Sequence, residues 1–271
     1  MSNGKPFPVL LGFDVDGETL WTARDPANAA RPVTLSQGRY GPEVGVPRLL
    51  DLLRRQGIHA TFFVPGMVIE RYPDLMRRLV GEGHEIAHHG YSHRWPDTMS
   101  PEEERADFEQ ALAAFDRVLG TRPLGYRSPA WEFSPWTMSL LLEHGIRYSS
   151  NFMDRDSPYK HVVDGRQTDL VEFPVQWLLD DAPFWLYSTR LAGRQIAGPE
   201  AVLQTWWQEF DALYAERERG ACFVLAMHPQ VSGRPYRVKL LEKLIHHMKE
   251  YDVRFYRCDE AAAELGPALT P

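Results

Sequence analysis

The chain has 271 residues, 44% of them hydrophobic and 12% aromatic, enough for a substantial core within the size one α/β barrel routinely occupies. Its formal charge of -7 excludes a broad basic surface for nucleic acid or anionic membrane, because such surfaces need clustered Lys and Arg. No apolar run reaches membrane-helix length and the N-terminus carries no separate signal segment, so a cytoplasmic protein with one domain over 1–271 is expected.

In chain order, short apolar runs ending in polar or Gly/Pro residues predict strands at 8–16, 59–66, 84–90, 125–131, 147–153, 170–177, 221–228 and 253–258. Helical patterns fall between them at 44–56, 70–82, 101–119, 135–144, 199–219 and 235–251. Ser100-Pro101-Glu102-Glu103-Glu104 has the cap, the early proline and the acidic first turn of a helix N-terminus. The alternation predicts parallel βα units, most simply a closed or distorted (β/α) barrel. Segments 18–43 and 154–169, rich in Gly, Pro, Asn and Asp, are expected to be ordered loops arching over the active face as lids. Cys222 and Cys258 lack CxxC spacing and are expected to be buried thiols. Trp206-Trp207, in a helical pattern, is expected in the core or at a subunit contact.

His89 and His93 are four residues apart in a turn-prone frame, His89-Gly90-Tyr91-Ser92-His93. On a helical turn both rings come to one side, where two neutral nitrogens can hold a divalent ion. Asp14 and Asp16 end the first predicted strand, and a period of two points both carboxylates the same way. One carboxylate can complete the ligand triad while the other acts as a base. Alone, Asp14-Val15-Asp16-Gly17 is equally an acidic turn; beside two histidines it favours a metal. His84 and His88 are expected to be structural, since a ring at 88 points away if His89 faces the ion.

Arg127-Ser128-Pro129-Ala130-Trp131 supplies a guanidinium that can orient a carboxylate base, with an aromatic wall beside it. His228 ends the run Phe223-Val224-Leu225-Ala226-Met227-His228. A carboxylate of Asp180-Asp181 can bind its far nitrogen and keep it protonated, Asp180 being the candidate although the spacing does not separate the two. Asp14, Asp16, His89, Arg127, Trp131 and His228 all fall at or just after predicted strand ends, the face where βα barrels carry active sites.

These motifs, with Leu225-Ala226-Met227-His228-Pro229, stand in the order found in the polysaccharide deacetylase superfamily, also called carbohydrate esterase family 4 or the NodB-homology fold, which this chain resembles over most of its length. The resemblance implies a distorted (β/α) barrel of NodB type, with a divalent metal on Asp16, His89 and His93. It further implies Asp14 as general base, Arg127 as its orienting partner and His228 as general acid. Many extracellular members have adjacent aspartates in Thr-Phe-Asp-Asp-Gly-Pro, whereas Val15 separates them here. In this the chain resembles the branch of the Helicobacter-type peptidoglycan deacetylase, which includes cyclic imide hydrolases and is related to a metal-independent allantoinase. Gly41 to Arg48, Thr61 to Gly66 and Trp177 to Asp181 carry the same resemblance. The branch implies a homo-oligomer, a tetramer.

The expected reaction is metal-dependent hydrolysis of a non-peptide amide, with Trp131 and Tyr91 contacting substrate. Mixed His and carboxylate ligands suit Zn2+ best, with Co2+, Ni2+ or Mn2+ able to take the same geometry. A small intracellular cyclic imide or ureide is slightly favoured, because lids would enclose a small molecule and obstruct a polymer. The alternatives are N-deacetylation of an amino sugar or peptidoglycan, and a non-catalytic barrel that binds a ligand through its metal.

Overall fold

The computed structural model describes residues 6–271 apart from Ala192 and Arg194. Its strands are β1 (Phe7–Asp14), β2 (Thr61–Val64), β3 (Glu85–His88), β4 (Gly125–Tyr126), β5 (Tyr148–Ser149), β6 (Tyr159–Val163), β7 (Arg166–Glu172), β8 (Phe223–Met227) and β9 (Val253–Tyr256). They form one sheet in the order β6-β7-β5-β4-β3-β2-β1-β8, with β9 also against β1. Every pairing is parallel except the β6–β7 hairpin. After β7 the chain returns to the other end of the sheet through one parallel bridge, Asp180 to Ala226. That bridge closes the distorted barrel which the alternation predicted.

The two-residue period of the strands sorts their side chains into two cores. Phe7, Val9, Leu11 and Phe13 of β1 face outward and pack with helix residues such as Leu49, Leu53 and Phe210. Leu10 faces inward with Phe63, Ala87, Val224, Ala226 and Tyr256, filling the barrel interior. The inward register also carries Asp14, which therefore emerges at the C-terminal rim above a packed floor.

The helix Pro101–Leu119 has the predicted bounds, and its start is a complete capping box. The Glu103 N–H donates to Ser100 Oγ at 3.2 Å and the Ser100 N–H to Glu103 Oε2 at 3.0 Å. The helix expected at 70–82 is instead two, Gly66–Arg71 and Pro73–Gly81. Proline at 73 forces Tyr72 out of helical geometry (φ -126, ψ 54).

Segment 18–43 is not a loop. It folds into helices Thr19–Arg24 and Pro32–Tyr40 and a wide π turn at Gly41–Gly45. Its glycines mark close packing more than turns: a Cβ at Gly38 would stand 2.4 Å from the Gly17 carbonyl oxygen and one at Gly41 2.9 Å from Gln230 Oε1. Segment 154–169 contributes the β6–β7 hairpin, turning at Asp164 and Gly165 with positive φ (50 and 72). It lies at the edge of the sheet path and lines none of the cavity described below, so the lid expectation fails for it. Among the described residues no helix is long and apolar enough to cross a membrane. Cys222 and Cys258 are buried and unpaired, as expected.

Candidate active site

Asp14 ends β1, His89 directly follows β3, Arg127 follows β4 and His228 follows β8. The rim therefore gathers residues that are up to 214 positions apart in sequence. His89 Nε2 and His93 Nε2 lie 3.4 and 3.5 Å from Asp16 Oδ1, all three residues being buried. The two histidines do not share a helical turn. They are brought together by a loop in which Gly90 and His93 both have positive φ (70 and 62). Asp107, on the helix Pro101–Leu119, pins that loop: its carboxylate accepts the N–H groups of Tyr91 at 2.7 Å and Ser92 at 3.2 Å, and the Ser92 hydroxyl.

His89 Nδ1 donates to the Arg127 carbonyl at 2.6 Å, so Nε2 presents its lone pair toward Asp16. Burial pushes the His93 imidazole down to about 4, with Asp16 opposing, so this ring is neutral near pH 7. For Asp16 burial acts upward, but His93, His89 and His228 outweigh it and hold the carboxyl well below the usual range. A carboxylate with two imidazole nitrogens is a donor set for a divalent ion. The fit is marked by Asp16 Oδ1, which is buried without a hydrogen-bond partner among the described residues. Gln230 Nε2 approaches the other oxygen, Oδ2, at 3.4 Å.

A second triad of possible ligands, Asp180, Asp181 and His228, also clusters, but its groups are already satisfied. Asp181 Oδ1 lies 2.7 Å from His228 Nδ1, and Oδ2 accepts the His228 N–H at 2.9 Å and the Ser232 hydroxyl. The short partner of His228 is thus Asp181, not the candidate Asp180, whose Oδ1 is 3.5 Å away and accepts the Ala182 N–H. The backbone separates them: Asp180 is extended (φ -129, ψ 140) and Asp181 turns into helical geometry (φ -79, ψ -24), so both carboxylates face His228 but only that of 181 reaches hydrogen-bond distance. Burial acts to lower the His228 pKa, but Asp181 and then Asp180 outweigh it and raise it well above its ordinary value. Burial pushes Asp180 itself up to about 7, the charge of Asp181 adding to the effect and His228 opposing it.

Arg127 is fully buried inside the barrel. Its Nη1 donates to Asp14 Oδ1 at 2.8 Å, Nη2 to Ser150 Oγ at 2.9 Å and Nε to the Ser150 carbonyl at 3.3 Å. The guanidinium lies 4.0 Å from the centroid of the Phe63 ring. Gly12 makes room for it, since a Cβ there would stand 2.7 Å from Nη1.

Above these groups is a cavity of about 380 Å³, walled by Leu20, Trp95, Trp131, Trp177 and Leu186, with Asp14, His89, His93 and His228 at its base. Ala130 and Trp131 hold positive φ (59 and 58), a costly conformation at a position that turns an indole onto the cavity. Trp131 and Trp177 pack at 4.7 Å between ring centroids. Tyr91, expected to contact substrate, turns away: its hydroxyl donates to Glu70 Oε2 at 3.0 Å and it lines no part of the cavity. The close approach of Gly66 to its ring holds it against the helices. His88, as expected, is structural, bonded to the Phe108 carbonyl at 3.1 Å and stacked on Phe108.

Sequence reasoning missed Ser150, Asp107, Gln230 and the wall residues Leu20 and Trp95. Ser150 stands two residues after the inward Tyr148, so the strand period could have found it. No spacing signals Asp107.

The polysaccharide deacetylase family profile matches residues 39–149. Over 96% of its length the chain is 33% identical to a peptidoglycan deacetylase of Helicobacter pylori, and it covers 97% of that protein. The chain belongs to the polysaccharide deacetylase family. This deacetylase-family chain also superposes on a solved structure from Mycobacterium smegmatis assigned to the same family, with TM-score 0.92 and 38% identity, covering 100% of this chain and 94% of the other. An allantoinase structure is similar too, with TM-score 0.82 and 25% identity over 96% of this chain and 91% of that one. The family supports a hydrolase acting on carbon–nitrogen bonds.

Proposed function

We propose that this polysaccharide deacetylase relative hydrolyses a compact non-peptide amide, a cyclic imide or ureide, with Asp14 as base and His228 as acid. The observation that carries this is the convergence of both groups with His89 and His93, themselves beside the buried Asp16, at the base of a walled cavity of about 380 Å³, a small-molecule volume. Asp16, His89 and His93 would hold a divalent ion, Zn2+ by donor type. When bound, the ion supplies Lewis-acid polarisation of a carbonyl and a lowered pKa for water.

Asp14 keeps one oxygen fixed by Arg127, and the other has no hydrogen-bond partner among the described residues. That oxygen is suited to take the proton of an attacking water. His228, held protonated by Asp181, donates through Nε2 to the departing nitrogen, which leaves poorly as an anion. Leu20, Leu186 and the tryptophans give the cavity apolar walls, which strengthen the electrostatic contacts at its base.

A second reading, N-deacetylation of an amino sugar, is favoured by the peptidoglycan deacetylase relative and by the Trp131–Trp177 pair at the cavity wall, which suits a sugar ring. Zinc-loaded protein assayed on succinimide-type rings, on ureides and on acetylated chitooligosaccharides separates the two. Ring opening is the expected result; acetate release from the oligosaccharides alone would reverse it. Tight binding without turnover of any of them would instead indicate a silent ligand-binding barrel.

A further inference from the structure

Beside the catalytic cavity is a second chamber, of about 470 Å³, and the two share Arg24 and Trp95 as a common wall. The chamber has the opposite electrostatic character to the rest of the molecule. The chain as a whole carries a formal charge of -7, yet Arg24, Arg31, Arg94 and Arg190 all line this chamber, against the single carboxylate of Asp25. Asp25 is already engaged, 3.1 Å from Arg31 Nη1. Arg31 meets Asp25 and Arg94 meets the surface carboxylate of Glu103, and the clustering of guanidinium groups on one concavity favours an anion there.

The chamber is also built, not merely charged. Arg31 Nη1 is fixed by Asn28 Oδ1 at 2.6 Å as well as by Asp25. Asn28 is buried, and its amide in turn donates to the Trp21 carbonyl at 2.8 Å. Trp21 lines the chamber, and its buried indole N–H has no hydrogen-bond partner among the described residues. Arg94 directly follows the candidate ligand His93, so one loop serves both chambers. The partner of Arg94, Glu103, is half exposed at 3.3 Å, a surface pairing that an incoming anion can replace.

We propose that this chamber binds an oxyanion, a carboxylate or phosphate, carried by the substrate itself. The amide then lies at Asp14 and His228 while the anionic group of the same molecule lies among Arg31, Arg94 and Arg190, with Arg24 and Trp95 at the passage between. The proposal rests on the reading above that the first cavity is where the amide is cut, and it narrows the substrate to an acidic imide, ureide or acylated amine. Guanidinium forks match carboxylate and phosphate geometry, so binding energy gathered there can hold the reacting carbonyl in place.

Two measurements test it. Inorganic phosphate binding is followed by calorimetry in the zinc-loaded protein, in an Arg94→Ala/Arg190→Ala variant and in His89→Ala. Affinity is expected to fall by about tenfold or more in the arginine variant and to persist in His89→Ala. Loss in His89→Ala with full retention in the arginine variant would put the anion at the metal ligands and overturn the proposal. In the second measurement, kcat/KM is compared for succinimide and for the same ring bearing a carboxymethyl group. The ratio is expected to favour the acidic ring by about tenfold or more and to collapse toward one in the arginine variant. Equal kcat/KM for the two rings in the unaltered protein overturns a substrate-borne anion, and phosphate binding at the arginines would then mark a site for a free anion. If neither ring is opened but phosphate binding still follows the arginines, the amide reading fails and the anion chamber stands.

Discussion

Asp181 grips His228 twice, through Nδ1 at 2.7 Å and through the backbone N–H at 2.9 Å, so one carboxylate sets both the orientation and the charge of the imidazole. Asp181→Asn removes the charge and keeps the shape. Because Asp181 holds the His228 pKa well above its usual value, the substitution lowers it, and the protonated acid is lost at a lower pH. The alkaline limb of the pH–rate profile is therefore expected to move to lower pH, with kcat near neutrality reduced by about 10²-fold or more. An unchanged profile would remove His228 from the acid role.

Gly12→Ala tests the buried guanidinium. The new Cβ meets Arg127 Nη1, which cannot retreat because Phe63, Ser150 and Asp14 hold it. Overpacking of this kind costs about 1–3 kcal/mol. Turnover should fall as well, since Asp14 is oriented by the group that is displaced. Thermal denaturation and kcat check the two effects; a variant with both at the original level would contradict the placement of Arg127.

Metal removal should silence the protein reversibly. Dialysis against a chelator is expected to abolish hydrolysis and added Zn2+ to restore it, while Asp16→Ala and His93→Ala should purify with little metal. Stoichiometric metal in an Asp16→Ala/His93→Ala protein would disprove the ligand set.

Asp107 touches no candidate ligand, yet it ties down the loop between them. Asp107→Ala is expected to weaken zinc binding by about 10- to 100-fold, read by competition with a chelating dye, with the ligands themselves intact. Affinity equal to the original would show that the loop holds its shape unaided.

Acid stability should depend on His88. Burial pushes this imidazole down to about 3, so between that value and the ordinary 6.5 the unfolded chain binds the proton more readily than the folded one. Its contribution is fully present above pH 6.5 and is lost as pH falls toward 3. Denaturant titrations at pH 7 and pH 4 should show a smaller difference in His88→Gln than in the original protein.

How far the sequence discloses this site depends on which residues obey a local period. Asp14 and Asp16, the strand-end positions of His89, Arg127 and His228, and the helix after Ser100 all follow strand or helix rules that hold without tertiary information. Asp181 is not separable from its neighbour in the sequence, because both carboxylates face His228 and only the local turn of the backbone at 181 decides which one comes within hydrogen-bond distance. Tyr91 has the composition of a substrate contact, but its direction is decided by Gly66 and Glu70 on another helix. The segment 18–43 has the glycines and prolines of a loop, yet it is helical, and its Gly38 and Gly41 let it pack closely against Gly17 and Gln230.

The bridge between Asp180 and Ala226 separates two inventories that meet only when the ring is shut. Asp16, His89 and His93 come from β1 and β3, neighbours through β2, and their grouping does not involve the bridge. Asp181 and His228 sit on its two flanks. Besides that rung, the Asp181 carboxylate binds His228 Nδ1, the His228 N–H and the Ser232 hydroxyl across the same seam, so closure of the ring and assembly of this pair share one set of contacts.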